Sequence, residues 1–277
     1  MSEFAAGPAG RIERVRVLMA ERGYDAIVVR DEANLRWLTG VKGVFDYTFE
    51  FPHAAFITAD QCLFHTDSRY LNSFEENTPA GSPWVYDMDE GTIPGWVAGK
   101  IAANKCRVCA VEDDMQINFY QGIQRGLEDR SVACMLPLMH DDIRKMRAIK
   151  DAEEIELMRH AQSITDAAFQ HMLGFIKPGM TEKQVRNELE NFMFANGADS
   201  LAFGSIVASG PNTANPHAVP SDRMIEKGDF VLMDYGAGYC DYRSDMTRTV
   251  VMGEPTQEQL DLSLIHISEP TRLLSIS

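Results

Sequence analysis

Two apolar runs, each bounded by an aspartate, constrain this chain more than any other feature. Phe230-Val-Leu-Met233 is closed by Asp234, and Asp245 opens a second run around Thr249-Val-Val251. Gly236 and Gly238 lie between them and permit a tight turn. A hairpin built on these runs brings two carboxylates together from adjacent strands. Carboxylates held close at strand ends repel, and a divalent cation is the simplest counter-charge. Spacing alone leaves a second reading open, in which each aspartate caps a turn and bonds to Arg243 or Arg248.

The segments upstream read as two domains, as 277 residues suggest. Ile12, Val15, Leu18 and Met19 share a helical face, and Gly23 stops that helix. Ala26-Ile-Val-Val29 reads as a buried strand. Ala54–Ile57 and Cys62–His65 read as a strand pair turning at Asp60. Helical patterns follow at 71–76 and 96–103, and strands at 107–111 and 132–136. Strands alternating with helices predict an α/β domain over residues 1–140. From Asp151 an amphipathic helix carries Ile155, Met158, Ala161, Ile164 and Ala168 at helical spacing. Lys177-Pro-Gly-Met180 ends it, and Thr181 with Gln184 forms a capping box for the next helix. Strands then recur at 203–207, 230–233 and 246–251. Two helices followed by strands predict an α+β domain over residues 141–261.

Charge and cysteine usage narrow the function classes. The net charge is −15, from 41 acidic and 26 basic residues. Such a surface repels phosphate backbones and anionic lipid, so nucleic acid and membranes are excluded as expected partners. Five cysteines, an odd number at irregular spacing, fit free thiols in a reducing compartment. Cys106 and Cys109 have CxxC spacing but read as apolar strand positions. The start lacks a basic segment followed by an apolar run, and a cytoplasmic protein is expected. The sequence holds no P-loop, GxGxxG fingerprint or GxSxG elbow.

Among the histidines, His217 stands out. It sits in Asn215-Pro-His-Ala-Val-Pro220, where flanking prolines stiffen the loop. A histidine there can donate to a substrate carbonyl or a developing oxyanion; the plainer reading is a solvated loop residue. His53 and His160 read as structural, the methionines and phenylalanines as core, Asp87–Glu90 as a solvated loop, and Glu112-Asp-Asp114 as the end of a strand. Residues Leu262–Arg272 differ in character from everything before them. One reading frame of a transposase-end sequencing adapter encodes these eleven residues in order. Native sequence is therefore expected to end near Asp261, with 262–277 excluded from fold reasoning, and His266 and Glu269 are not assigned to any site.

Together these segments resemble the creatinase/aminopeptidase P/prolidase family. Gly228-Asp-Phe-Val-Leu-Met-Asp234-Tyr-Gly-Ala-Gly and Ser244-Asp245-Met-Thr-Arg-Thr249 are similar to its first two metal-ligand strands. Ser209-Gly-Pro-Asn212 and Pro216-His217 are similar to its substrate loop, and 149–159 to the first helix of its catalytic domain. Gly23–Ala26, Asn34–Gly40 and Thr66–Tyr70 resemble its N-terminal domain. The resemblance implies an α/β creatinase-like domain followed by an α+β pita-bread catalytic domain, incomplete here. It implies two divalent metal ions, manganese first with cobalt or zinc possible, Asp234 chelating one and Asp245 bridging both. His217 would assist the tetrahedral intermediate of Xaa-Pro bond hydrolysis.

That family pattern needs one further His and two Glu ligands downstream, where the adapter-like segment stands. A chain with two of five ligands is expected to be inactive, while the parent gene encodes a Xaa-Pro peptidase acting on proline-containing peptides as a homodimer. Ala218 stands where glycine is frequent in the family. The alternatives are a metal-dependent lyase of the same fold and a non-catalytic pita-bread binding module. Creatinases lack the metal carboxylates, so creatine hydrolysis is disfavoured.

Overall fold

The structure is a computed structural model that describes residues 7–42, 44–45, 51–88, 91–265 and 274–276. The chain divides into two compact units, Met1–Asp151 and Ala152–Ser277. His266, Glu269, Asp89 and Glu90 lie outside the described residues; Asp87, expected in a solvated loop, instead ends a strand, half-buried and paired with Lys100.

The first unit runs α1 (Gly7–Arg22), β1 (Ala26–Val29), α2 (Glu32–Thr39), β2 (Ala54–Thr58), β3 (Cys62–His65), α3 (Leu71–Asn77), β4 (Val85–Asp87), α4 (Ile93–Ala103), β5 (Cys109–Val111), α5 (Ile117–Asp129) and α6 (Asp142–Ala148). Its strands form one mixed sheet in the order β4-β3-β2-β1-β5. The central strands are buried along their whole length because both faces are covered. Side chains alternate across a strand, so Ile27, Val29, Ala55 and Ile57 pack with α1 and α2 in one core. Ala26, Val28, Ala54 and Phe56 pack with α4 and α5 in the other. The apolar run at 132–136 makes only isolated bridges, Val108 with Met135 and Val111 with Leu138, instead of the expected strand. Pro137 interrupts it, since proline has no N–H to give the ladder.

The second unit runs α7 (Ala152–Phe175), α8 (Glu182–Ala195), β6 (Ser200–Leu201), β7 (Ile206–Ser209), a 3-10 turn (Gly210–Ala214), β8 (Phe230–Tyr235), β9 (Ala237–Tyr239), β10 (Tyr242–Arg243), β11 (Met246–Met252), α9 (Gln257–Ile265) and β12 (Leu274–Ile276). Two sheets form, ordered β10-β9-β6 and β12-β11-β8-β7. Thr181 Oγ1 accepts from the Gln184 amide while Gln184 Oε1 accepts from the Thr181 amide, the capping box expected from sequence. On α7 the core stripe is Ala161, Ile164, Thr165, Ala168, Phe169 and Met172. Ile155 and Met158, which share that period, are exposed. The buried residue of this first turn is Glu154, whose Oε1 accepts from Tyr242 Oη at 2.9 Å.

Both residues of the CxxC pair are buried and neither is in a disulfide; Cys109 lies on β5, whereas Cys106 precedes the strand instead of belonging to it. Burial pushes the Cys106 thiol up to about 11 and Cys109 well above the ordinary thiol range, so neither thiolate forms readily near neutrality. His53 packs among Phe45, Phe51, Phe64, Tyr70 and Phe74, and its Nδ1 lies 3.1 Å from Thr66 Oγ1. Burial lowers it to about 4.

Candidate metal centre

One register governs the whole hairpin. Phe230 pairs with Val251, Asp234 with Thr247 and Tyr235 with Met246, and beyond them Gly238 pairs with Arg243 and Tyr239 with Tyr242. Between these ladders the Ser244 amide donates to the Ala237 carbonyl at 3.0 Å, so the same count continues through the bend. It closes on Cys240 and Asp241, both at positive φ (46° and 69°), as a two-residue hairpin turn requires.

The register sets Asp245 opposite Gly236, one diagonal step from Asp234 on the same sheet face. Diagonal neighbours of an antiparallel pair stand roughly 7–8 Å apart at Cα, with Cβ atoms somewhat closer. At that spacing both carboxylates can reach a shared cation. Asp245 is exposed, and Asp234 is half-buried. Asp234 Oδ1 is buried without a hydrogen-bond partner. A buried carboxylate oxygen is ordinarily satisfied, so this atom fits a hard cation. Among the described residues no group of three or more His, Cys, Asp and Glu side chains is placed to hold a metal.

The opposite face fixes this geometry. Tyr235, Ala237, Ser244 and Met246 point into the core of the second unit. The Ala237 amide donates to both Thr165 Oγ1 (3.1 Å) and Ser244 Oγ (2.9 Å), and the two hydroxyls lie 2.6 Å apart. Tyr235 Oη donates to the Thr165 carbonyl at 3.3 Å. This polar knot ties α7 to the hairpin directly behind the aspartates. At Gly236 a Cβ would overlap the Ser244 carbonyl, so only glycine permits the strands to approach here.

The alternative partners for the aspartates are placed elsewhere. Arg248 pairs in register with Met233, on the core face, where its guanidinium lies 6.0 Å from the Phe169 ring. Its Nη1 donates to the Thr247 carbonyl. Arg243 Nη1 donates to the Ala202 carbonyl at 2.8 Å.

His217 lies on the loop between the 3-10 turn and β8. Its side chain is exposed, and its amide donates to Asn215 Oδ1 at 3.0 Å. The loop leaves β7 at Ser209, which pairs with Val231, three residues along β8 from Asp234. The hairpin thus brings Asp234 and Asp245 together, while His217 stands apart on its own loop with no hydrogen bond to either among those described. Sequence reasoning missed Glu182 beneath this loop and the Thr165–Ser244 pair behind the hairpin. Glu182 looks like an ordinary acidic residue in the first turn of a helix, and Thr165 like any helix residue; neither carries a local signal.

Residues 156–265 match metallopeptidase family M24, and residues 11–149 match the creatinase/prolidase N-terminal domain. The chain is 34% identical over 255 residues to the uncharacterized peptidase YqhT of Bacillus subtilis, covering 90% of this chain and 67% of that protein. It is 43% identical over 122 residues to a Xaa-Pro dipeptidase of Pyrococcus furiosus, covering 44% of this chain and 35% of that one. The structure is similar to that of a Xaa-Pro dipeptidase from Bacillus anthracis, at a TM-score of 0.82 and 33% identity, over 94% of this chain and 69% of that one. It is also similar to an X-Pro aminopeptidase from Thermotoga maritima, at a TM-score of 0.78 and 29% identity, over 92% and 68%. The chain therefore spans about two thirds of YqhT and of these solved structures, and its match covers about a third of the Pyrococcus enzyme.

Proposed function

The chain belongs to metallopeptidase family M24, behind a creatinase/prolidase N-terminal domain, and from that premise we propose that the whole protein hydrolyses the peptide bond before proline. The observation that carries the reading is the carboxylate pair, Asp234 with its unpartnered buried Oδ1 and Asp245 one diagonal step away. Asp234 and Asp245 would hold the divalent ions, Asp234 one of them and Asp245 both; hard oxygen donors suit manganese, cobalt or zinc. When bound, such ions polarise a carbonyl and lower the pKa of a water to near neutrality. His217, exposed and held between prolines, offers an imidazole N–H to the oxyanion that develops on the scissile carbonyl. The names of the similar proteins support both dipeptidase and aminopeptidase specificity.

In this reading the present chain is inactive by itself. Two carboxylates hold a divalent ion weakly, and a dinuclear centre needs more donors than the described residues bring together. The whole protein is a cytoplasmic homodimer acting on peptides; no described helix is long and apolar enough to cross a membrane. Manganese titration of this chain, followed by electron paramagnetic resonance, tests the centre. Binding that disappears in both Asp234→Asn and Asp245→Asn supports it. Binding that survives both substitutions refutes it. Hydrolysis of Xaa-Pro dipeptides against Xaa-Pro-Yaa tripeptides by the whole protein then separates the two specificities.

A further inference from the structure

We infer that Glu182 is the positioning residue for His217, an inference that rests on the role given to His217 above. Glu182 is the first residue of α8 and is fully buried. Its Oε1 accepts from the Ser209 amide (2.7 Å), Ser209 Oγ (2.9 Å) and Asn212 Nδ2 (3.0 Å). Its Oε2 accepts from the Ser221 amide (2.9 Å) and Ser221 Oγ (2.6 Å). Ser209 is the last residue of β7, and Ser221 follows the loop that carries His217. The loop over 210–220 therefore begins and ends on the two oxygens of one carboxylate.

The bonds within the loop are local. Thr213 Oγ1 donates to the Gly210 carbonyl, the Asn215 amide to the Asn212 carbonyl, and the Ala218 amide to the Asn215 carbonyl. Ala218 and Pro220 are buried, while His217 and Val219 are exposed. Two anchored ends and two buried side chains leave the imidazole projecting from a fixed base. Arg223 reinforces the first anchor, donating to Ser209 Oγ at 2.7 Å and pairing with Asp229 at 2.6 Å. Gly210, at φ +48°, passes so close to Arg223 and Asp229 that a Cβ would overlap them.

The anchor depends on charge. Burial works to raise the Glu182 carboxyl, but hydrogen bonds from Ser221, Asn212 and Ser209 outweigh it and hold the group below its ordinary value. Five donors converge on an acceptor-only group. A glutamine of the same shape turns an NH2 toward two or three of those donors and releases one end of the loop. A residue that merely filled space would tolerate that exchange.

The test is nuclear magnetic resonance on the labelled chain, comparing wild type with Glu182→Gln and the milder Ser221→Ala, which removes one donor from Oε2. Wild type should show one set of His217 imidazole resonances, with the Ser209 and Ser221 amides protected from exchange. In Glu182→Gln that protection should fall at least about tenfold at one loop end, because buried charged hydrogen bonds are lost. Val231 and Met233 should stay protected, and the His217 resonances should broaden or split. If Glu182→Gln does not fold, Ser221→Ala should still broaden His217 and expose the amides at the far end of the loop. Unchanged His217 resonances and loop exchange in the folded variants would overturn the inference. A His217→Ala whole protein that retained full peptidase activity would instead overturn the functional reading, leaving Glu182's hold on the loop intact.

Discussion

Glu112 offers the sharpest quantitative test of the fold. It is 5% exposed, at the end of β5, and its oxygens accept from the Arg30 amide (2.6 Å), the Asp31 amide (2.8 Å) and Asn34 Nδ2 (2.7 Å). Burial dominates these bonds and pushes its carboxyl up to about 7 from an ordinary value of 4.5. The native state thus holds a proton that the unfolded state has released. Stability from this group is fully present below pH 4.5 and is lost as pH rises through 7. Two and a half pH units correspond to about 3 kcal/mol. Glu112→Gln removes the titration, at a cost of about 1 kcal/mol where its NH2 faces Asn34 Nδ2. His53 slopes the opposite way: lowered to about 4, it contributes stability above pH 6.5 that is lost as pH falls through 4. Wild type alone would therefore look nearly flat, whereas the difference between variant and wild type isolates Glu112. All three tryptophans, Trp37, Trp84 and Trp96, are buried in the first unit, so urea denaturation followed by their fluorescence reads that unit. Glu112→Gln should gain about 3 kcal/mol relative to wild type between pH 4.5 and 7.5, ending about 2 kcal/mol more stable. A difference that stays constant across that range refutes the reasoning.

Other substitutions probe the second unit. Gly236→Ala should destabilise it by about 3 kcal/mol or more, since the added methyl meets backbone and not a movable side chain; thermal melts read by circular dichroism check this. Thr165→Val keeps the shape but strips one acceptor from the Ala237 amide, and should cost about 1–3 kcal/mol in denaturant titrations, with Thr165→Ser restoring most of it. Should Thr165→Val also weaken manganese binding while the fold survives, the hydroxyl pair tunes the site and does not merely stabilise it.

Much of the frame was legible in the chain. The buried run Ala26–Val29, the strand pair at Asp60 and the Thr181 capping box are set by local pattern, and the structure contains each of them. The hairpin of Asp234 and Asp245 was readable from its two apolar runs, but it turns at Cys240–Asp241 and not at Gly236 and Gly238, which lie along its first arm. What escaped depends on distant partners. Ile155 and Met158 obey the same period as the core positions, yet both stand exposed on α7. Glu112 looked like a strand-ending charge, but three donors from Arg30–Asn34, some eighty residues earlier, draw it inside. Glu182 is the same case: its five donors come from residues 209–221. Periodicity states which face of an element is apolar and is silent about which polar groups the tertiary fold will satisfy.

The uninterrupted register of the hairpin has a consequence for how its length can vary. Ser244 and Ala237 close the ladder behind the two aspartates, and the strands beyond run outward to the Cys240–Asp241 turn. Adding residues two at a time at that turn lengthens both arms equally and leaves Asp234 and Asp245 as they were. Adding one residue between Asp234 and the knot forces a bulge or turns a carboxylate to the opposite face, because side chains alternate with period two. The tip can therefore accept insertions, in evolution or by design, while the base carries a parity that a single inserted residue keeps only by forming a bulge.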